Sequence, residues 1–188
     1  MEKLTTIFLT SVTGLLMTFN VAVAQNNNIQ THISYQVNMG PVYPINGDNY
    51  QIMGKVTFND ETNALEDISF DVPLNSFNGQ NAGYLAWVAN SWNNPNMEFT
   101  SNSIMDKGDG KLIIKGDLKL RRRFSSIKIN MERRDIDNKI VLEGDFTLNT
   151  NDFFIVPPSN TLVPTWIPFR LTLVFDKPSK NDKQISLY

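Results

Sequence analysis

The sequence predicts an all-β protein: eight antiparallel strands closing into a barrel, with one short helix between the third and fourth. Three observations predict it. Apolar residues alternate with polar ones at a period of two along most of the chain. The connectors between those runs are short and polar, which makes consecutive strands antiparallel neighbours. Glycines fall inside the runs at Gly54, Gly116 and Gly144, where a sheet must bend sharply to close on itself.

The first run sets Ile33, Tyr35 and Val37 against Ser34 and Gln36. The second puts Ile52, Val56 and Phe58 on one face, and the third Ile68, Phe70 and Val72. Met97 and Phe99 begin the fourth; Leu112, Ile114, Leu118 and Leu120 form the fifth, and Ile127, Ile129 and Met131 the sixth. Ile140, Leu142, Phe146 and Leu148 make the seventh, and Ile167 to Phe175 the last. Turn chemistry marks Asn46-Gly47-Asp48, Asn59-Asp60-Glu61, Asp106 to Gly110 and Asp135 to Asn138. Between Asn81 and Trp92 the period changes. Leu85, Val88, Ala89 and Trp92 fall at i, i+3, i+4 and i+7, a helical stripe that Pro95 stops. Trp92 lies on that stripe and is expected in the core, whereas Trp87 lies off it. Val156 to Pro168 reads as a loop long enough to form a lid or rim.

Met1 to Ala24 is set aside as a signal peptide. Lys3 precedes an apolar stretch from Ile7 to Val23, which ends in Ala22-Val23-Ala24 before Gln25, a small-x-small cleavage pattern. Residues 25–188 are then one exported domain, expected in the periplasm or secreted, with no transmembrane segment. A chain of 188 residues with no Cys and one His has neither a disulfide framework nor a thiolate or two-His metal site. A formal charge of −2 argues against nucleic acid as a partner. No nucleophile motif or phosphate loop occurs, and Asp106-Lys107-Gly108-Asp109-Gly110 lacks the alternate acids of a calcium loop. His32 alternates outward. The sequence therefore points to binding rather than catalysis, with no cofactor and no metal.

An eight-stranded barrel is either filled by its own side chains or holds one small ligand. Both readings of the interior are open at this level. A hollow bore walled by Ile, Val, Leu, Phe and Met would take a hydrocarbon, at about 0.8 kcal/mol per buried CH2. A filled core would leave the outer surface to bind a carbohydrate or a protein partner.

The segments Gly54-Lys55-Val56-Thr57-Phe58 and Ile68-Ser69-Phe70-Asp71-Val72-Pro73-Leu74-Asn75-Ser76 resemble the second and third strands of the YceI-like family. Gly83-Tyr84-Leu85-Ala86-Trp87 with Asn94-Pro95-Asn96-Met97-Glu98-Phe99 is similar to that family's helix and the strand after it. Gly110 to Leu120 and Leu148 to Phe153 are similar to two later elements. The resemblance runs from about Ile52 to Phe154. It implies a lipocalin-like barrel, export, and a long amphiphile such as an isoprenoid lipid held inside, often in a homodimer. Two departures stand out. The Arg, Asp and His common around the family's helix are absent, and its "H-G-V-T-K-P" turn is replaced by Leu120-Arg121-Arg122-Arg123-Phe124. The polar contacts those family residues make are therefore not carried over, which implies a different head group or a different ligand.

On these grounds the apolar cavity and its mouth are assigned to Tyr84, Trp87, Phe99, Ile114, Leu142, Phe153 and Phe169. Arg121 and Arg123 are candidates for an anionic head group, because guanidinium forks match phosphate.

Overall fold

The computed structural model describes residues 29–39, 43–59, 61–155, 164–177 and 184–187. The expected signal peptide and most of the expected lid, 156–163, lie outside these residues. Among the described residues, ten strands form one antiparallel sheet. They are β1 (His32–Met39), β2 (Tyr43–Asn49), β3 (Met53–Phe58), β4 (Leu65–Pro73), β5 (Asn96–Asp106), β6 (Lys111–Leu120), β7 (Arg123–Ile136), β8 (Lys139–Asn149), β9 (Trp166–Asp176) and β10 (Gln184–Ser186). Their order is β10-β3-β4-β5-β6-β7-β8-β9-β1-β2. The sheet curls into a half-barrel around one apolar core, and α1 (Gly83–Val88) covers it in the β4–β5 connection.

All eight expected strands are present. Two more were not expected, each for a reason of tertiary origin. Asn46-Gly47-Asp48 has the composition of a turn but lies inside β2. Gly47 packs beneath the Tyr35 ring, where a Cβ would stand 2.7 Å from a ring carbon. The amides of Asn46 and Asp48 donate to Gln80 O and Asn78 O at 3.0 and 2.8 Å. These contacts outweigh local turn preference. The three-residue β10 is too short to carry a periodic signal; it covers the free edge of β3, and the Leu187 amide donates to Gly54 O at 2.8 Å.

The expected helix over Asn81–Trp92 is shorter, Gly83–Val88. Asn90 turns left-handed at φ 53°, which ends the stripe. Leu85 and Ala89 are buried as the stripe requires, but Trp92 is 96% exposed, so its placement in the core is corrected. The expected loop from Val156 to Pro168 is also shorter, since Trp166 already begins β9. Pro168 lies within that strand, opposite Thr147. It has no amide to donate, and the β1–β9 ladder runs only from His32 to Tyr35, opposite Thr172 to Phe169.

Candidate functional site

Alternation directs Phe99 (β5), Ile114 (β6), Leu142 (β8) and Phe169 (β9) into the core, each at most 1% exposed. Phe153, also 1% exposed, comes from the 3-10 turn Thr150–Phe153 that follows β8. A side chain lining a void wide enough for water would keep accessible surface; these keep almost none. The core is filled by stacked rings from neighbouring strands. Phe70 lies on Phe99 with centroids 5.0 Å apart, and Phe146 on Phe169 at 5.1 Å.

The mid-strand glycines do not open space, as a hollow bore would need. A Cβ on Gly116 would meet Thr100 O at 2.2 Å and the Phe99 ring at 2.6 Å. One on Gly144 would meet Asn130 O at 2.5 Å and Met131 Cγ at 2.7 Å. Larger neighbours occupy the room each glycine vacates.

Two phenols lie where α1 meets this apolar core. Tyr35 donates its hydroxyl to Ala82 O at 3.0 Å, and its ring packs edge-on against Phe77. Burial pushes its pKa up to about 12. Tyr84 is buried as well, and its hydroxyl has no hydrogen-bond partner among the described residues. Burial, with a smaller contribution from Tyr35, moves its pKa well above the usual phenol value. Trp87 sits one turn on, its ring 6.3 Å from that of Tyr84, but is 60% exposed. Tyr84 and Trp87 thus form an inside–outside pair on one short helix.

Arg121 and Arg123 flank a different residue. The β6–β7 hairpin has a two-residue loop, Arg121-Arg122, closed by the pair Leu120 and Arg123. Arg121 donates to Phe154 O at 2.7 Å, and the Arg123 guanidinium lies 4.4 Å from the centre of the Phe154 ring. The sequence marked these arginines without showing that they converge on Phe154, 33 residues away in the chain.

Sequence reasoning also missed two polar features. Asn49 is fully buried at the end of β2; it donates to Pro73 O at 2.7 Å and accepts from the Gln51 amide at 2.8 Å. It ties the end of β2 to the end of β4. The second is a cleft of about 720 Å³ on the outer side of β1, β2 and β9. Ser34, Gln36, Asp48, Trp166, Pro168 and Arg170 line it, and none of the expected ligand residues does. Outward alternation is the only signal the sequence carries for it. On the outer face of β4–β6, the Asp71 carboxyl is raised by burial and by Glu98 beside it, while Lys119 holds Glu98 through both oxygens at 2.8 and 2.9 Å. Among the described residues, no three His, Cys, Asp or Glu side chains gather as metal ligands would. Nor is any helix there long and apolar enough to cross a membrane.

Fold and interior together define a lipocalin-like antiparallel β-barrel with an apolar core. The YceI-like domain family matches residues 22–175. The chain belongs to the YceI-like family. Among solved structures it is similar to Burkholderia cenocepacia BcnA, with a TM-score of 0.64 and 15% identity, covering 77% of this chain and 94% of that one. It is also similar to a Campylobacter jejuni YCEI protein, with a TM-score of 0.59 and 15% identity over 71% and 85% of the two chains. A mutant of the latter, described with a monobromobimane guest, gives 0.62 at 14% identity over the same shares. No curated protein matches the chain significantly.

Proposed function

We propose that this protein is an exported binding protein that holds a long apolar amphiphile, of isoprenoid type, in its barrel, and that it is not an enzyme. The observation carrying this reading is the Tyr84 hydroxyl, buried beside the apolar core without a partner among the described residues. An unpaired buried hydroxyl costs about 1–3 kcal/mol. An amphiphile supplies a polar partner for the phenol and carries a tail of the same apolar chemistry as Phe99, Ile114, Leu142, Phe153 and Phe169. Because side chains fill the core, the tail enters by displacing them from the β2–β3 side. There the two strands share no ladder among the described residues. Ten buried carbons contribute roughly 8 kcal/mol toward that rearrangement. Export is the companion of this reading, resting on the leader pattern in residues 1–24.

The test is solvent extraction of the protein purified from its native compartment, followed by mass spectrometry, with displacement of an apolar fluorophore by prenyl lipids. A co-extracted long-chain lipid and competitive displacement are expected. An empty protein that takes up neither probe overturns the reading.

A second reading has its own observation. The outer cleft sets the Trp166 ring, 59% exposed, beside Gln36, Asp48 and Arg170. An exposed aromatic face with planar polar groups around it suits a saccharide. Glycan-array binding that is lost in Trp166→Ala, with no uptake of prenyl lipid, would favour it.

A further inference from the structure

The β6–β7 hairpin departs from what a two-residue loop ordinarily demands. Arg121 and Arg122 stand at φ 52° and 59°, left-handed positions that such loops fill with Asn and Gly. Phe154, which the hairpin grips, is left-handed too, at φ 50°. For bulky side chains this backbone is strained, and such strain gathers where a side chain is needed for function. What the strain achieves is display. Phe154 is 60% exposed, fixed at its carbonyl by Arg121 and on its ring by Arg123. Phe124, two residues beyond the loop, is 67% exposed.

The same end of the sheet carries Trp92, 96% exposed, in the segment leading to β5, whose Glu98 pairs with Lys119 just before the hairpin loop. Three guanidinium groups and Lys119 stand here against two carboxylates, Glu98, held by Lys119, and Asp152, which accepts from the Ser125 hydroxyl at 2.8 Å. At the other end, the turns after β5 and β7 carry Asp109 and Asp137 with Lys107 and Lys139 beside them, so each acid is matched by one cation and neither turn has a run of arginines. Among the described residues, neither of those turns shows an exposed aromatic. Aromatic rings with arginines between them suit the boundary between lipid head groups and acyl chains, and the cationic excess suits an anionic leaflet.

We propose that the Arg121–Phe124 hairpin and Phe154 form a docking tip that seats the barrel on the surface of an anionic lipid bilayer, the rings entering the head-group layer and the arginines meeting lipid phosphates. This stands apart from the barrel's cargo, because the tip lies outside the core and is read whether or not a guest is bound.

Co-sedimentation of the purified protein with phosphatidylcholine vesicles containing 30% phosphatidylglycerol tests it. The parent pellets with these vesicles at low salt, releases as salt rises, and does not pellet with pure phosphatidylcholine. Arg122→Gln with Arg123→Gln lowers partitioning about thirtyfold, at the usual contribution per basic residue. Lys107→Gln with Lys139→Gln, removing the same charge from the other end, leaves it unchanged. Phe154→Gly relieves the left-handed backbone and so keeps or raises the melting temperature while still losing partitioning. Equal pelleting with neutral vesicles, parent-like partitioning of the arginine variant, or full release by millimolar inorganic phosphate at constant ionic strength would each overturn the proposal. The last would mark a simple anion site.

Discussion

The β4–β9 wall and the β2–β3 seam hold the same core by different means. In the wall, every strand is paired on both sides, and the β8–β9 register runs unbroken from Lys139 opposite Asp176 to Asn149 opposite Trp166. At the seam, β2 rests on the 78–80 segment through isolated backbone hydrogen bonds, β3 is covered by a three-residue strand, and Asn49 supplies one side-chain clasp. The wall draws its stability from ring stacking and a continuous ladder, so its loss is spread over many contacts. The seam depends on a few polar groups, each with a large individual cost. A barrel that admits a guest needs this asymmetry, since one side must yield while the other keeps its register.

The largest effect should come from the wall. Phe169 stacks on Phe146 and its ring centroid lies 5.6 Å from that of Tyr35, so Phe169→Ala leaves a cavity worth about 3–5 kcal/mol, read as a lower midpoint in urea unfolding. Alkaline pH comes next and acts near the seam. The folded protein holds Tyr35 as the neutral phenol up to about pH 12, whereas the unfolded chain releases that proton near 10. Stability from this group is complete below pH 10. Between pH 10 and 12 it falls by about 1.4 kcal/mol per pH unit. Tyr35→Phe should flatten the loss, and an unchanged pH profile would refute the assignment. Asn49→Ala follows, at about 2 kcal/mol, because Pro73 O and the Gln51 amide both lose their buried partner. If the seam is the yielding side, this variant also exchanges its β2 and β3 amides faster while those of β8 keep their protection.

The wall was legible in the sequence, and of the seam only β3 was. Alternation records which face of a strand is buried, so β4 to β9 followed from Ile, Leu and Phe at every second position. What closes the seam is not periodic. Asn49 looks like one more polar residue in a turn-rich stretch, and Gly47 marks a strand only because the Tyr35 ring lies over it. Trp92 misled for a related reason: an i+7 position counts as core only while the helix lasts, and Asn90 ends it. The candidate site divides likewise. Phe99, Ile114, Leu142 and Phe169 were placed inward by phase alone, whereas the grip of Arg121 and Arg123 on Phe154 joins segments whose proximity no local pattern encodes.

Tyr84→Phe gives the smallest shift in stability, and its sign sharpens the contrast most. Removing a wall side chain destabilises because good contacts are lost. Removing the Tyr84 hydroxyl deletes a buried group that has no partner among the described residues, so stability should rise by about 1 kcal/mol. The same change removes the hydrogen bond offered to a guest, so a prenyl lipid bearing a polar terminus should leave the variant faster than the parent. Paired thermal melts and lipid-release measurements separate the outcomes. A variant that is less stable, and holds lipid as well as the parent, would show that the phenol packs like any other ring at this junction and that the head group lies elsewhere.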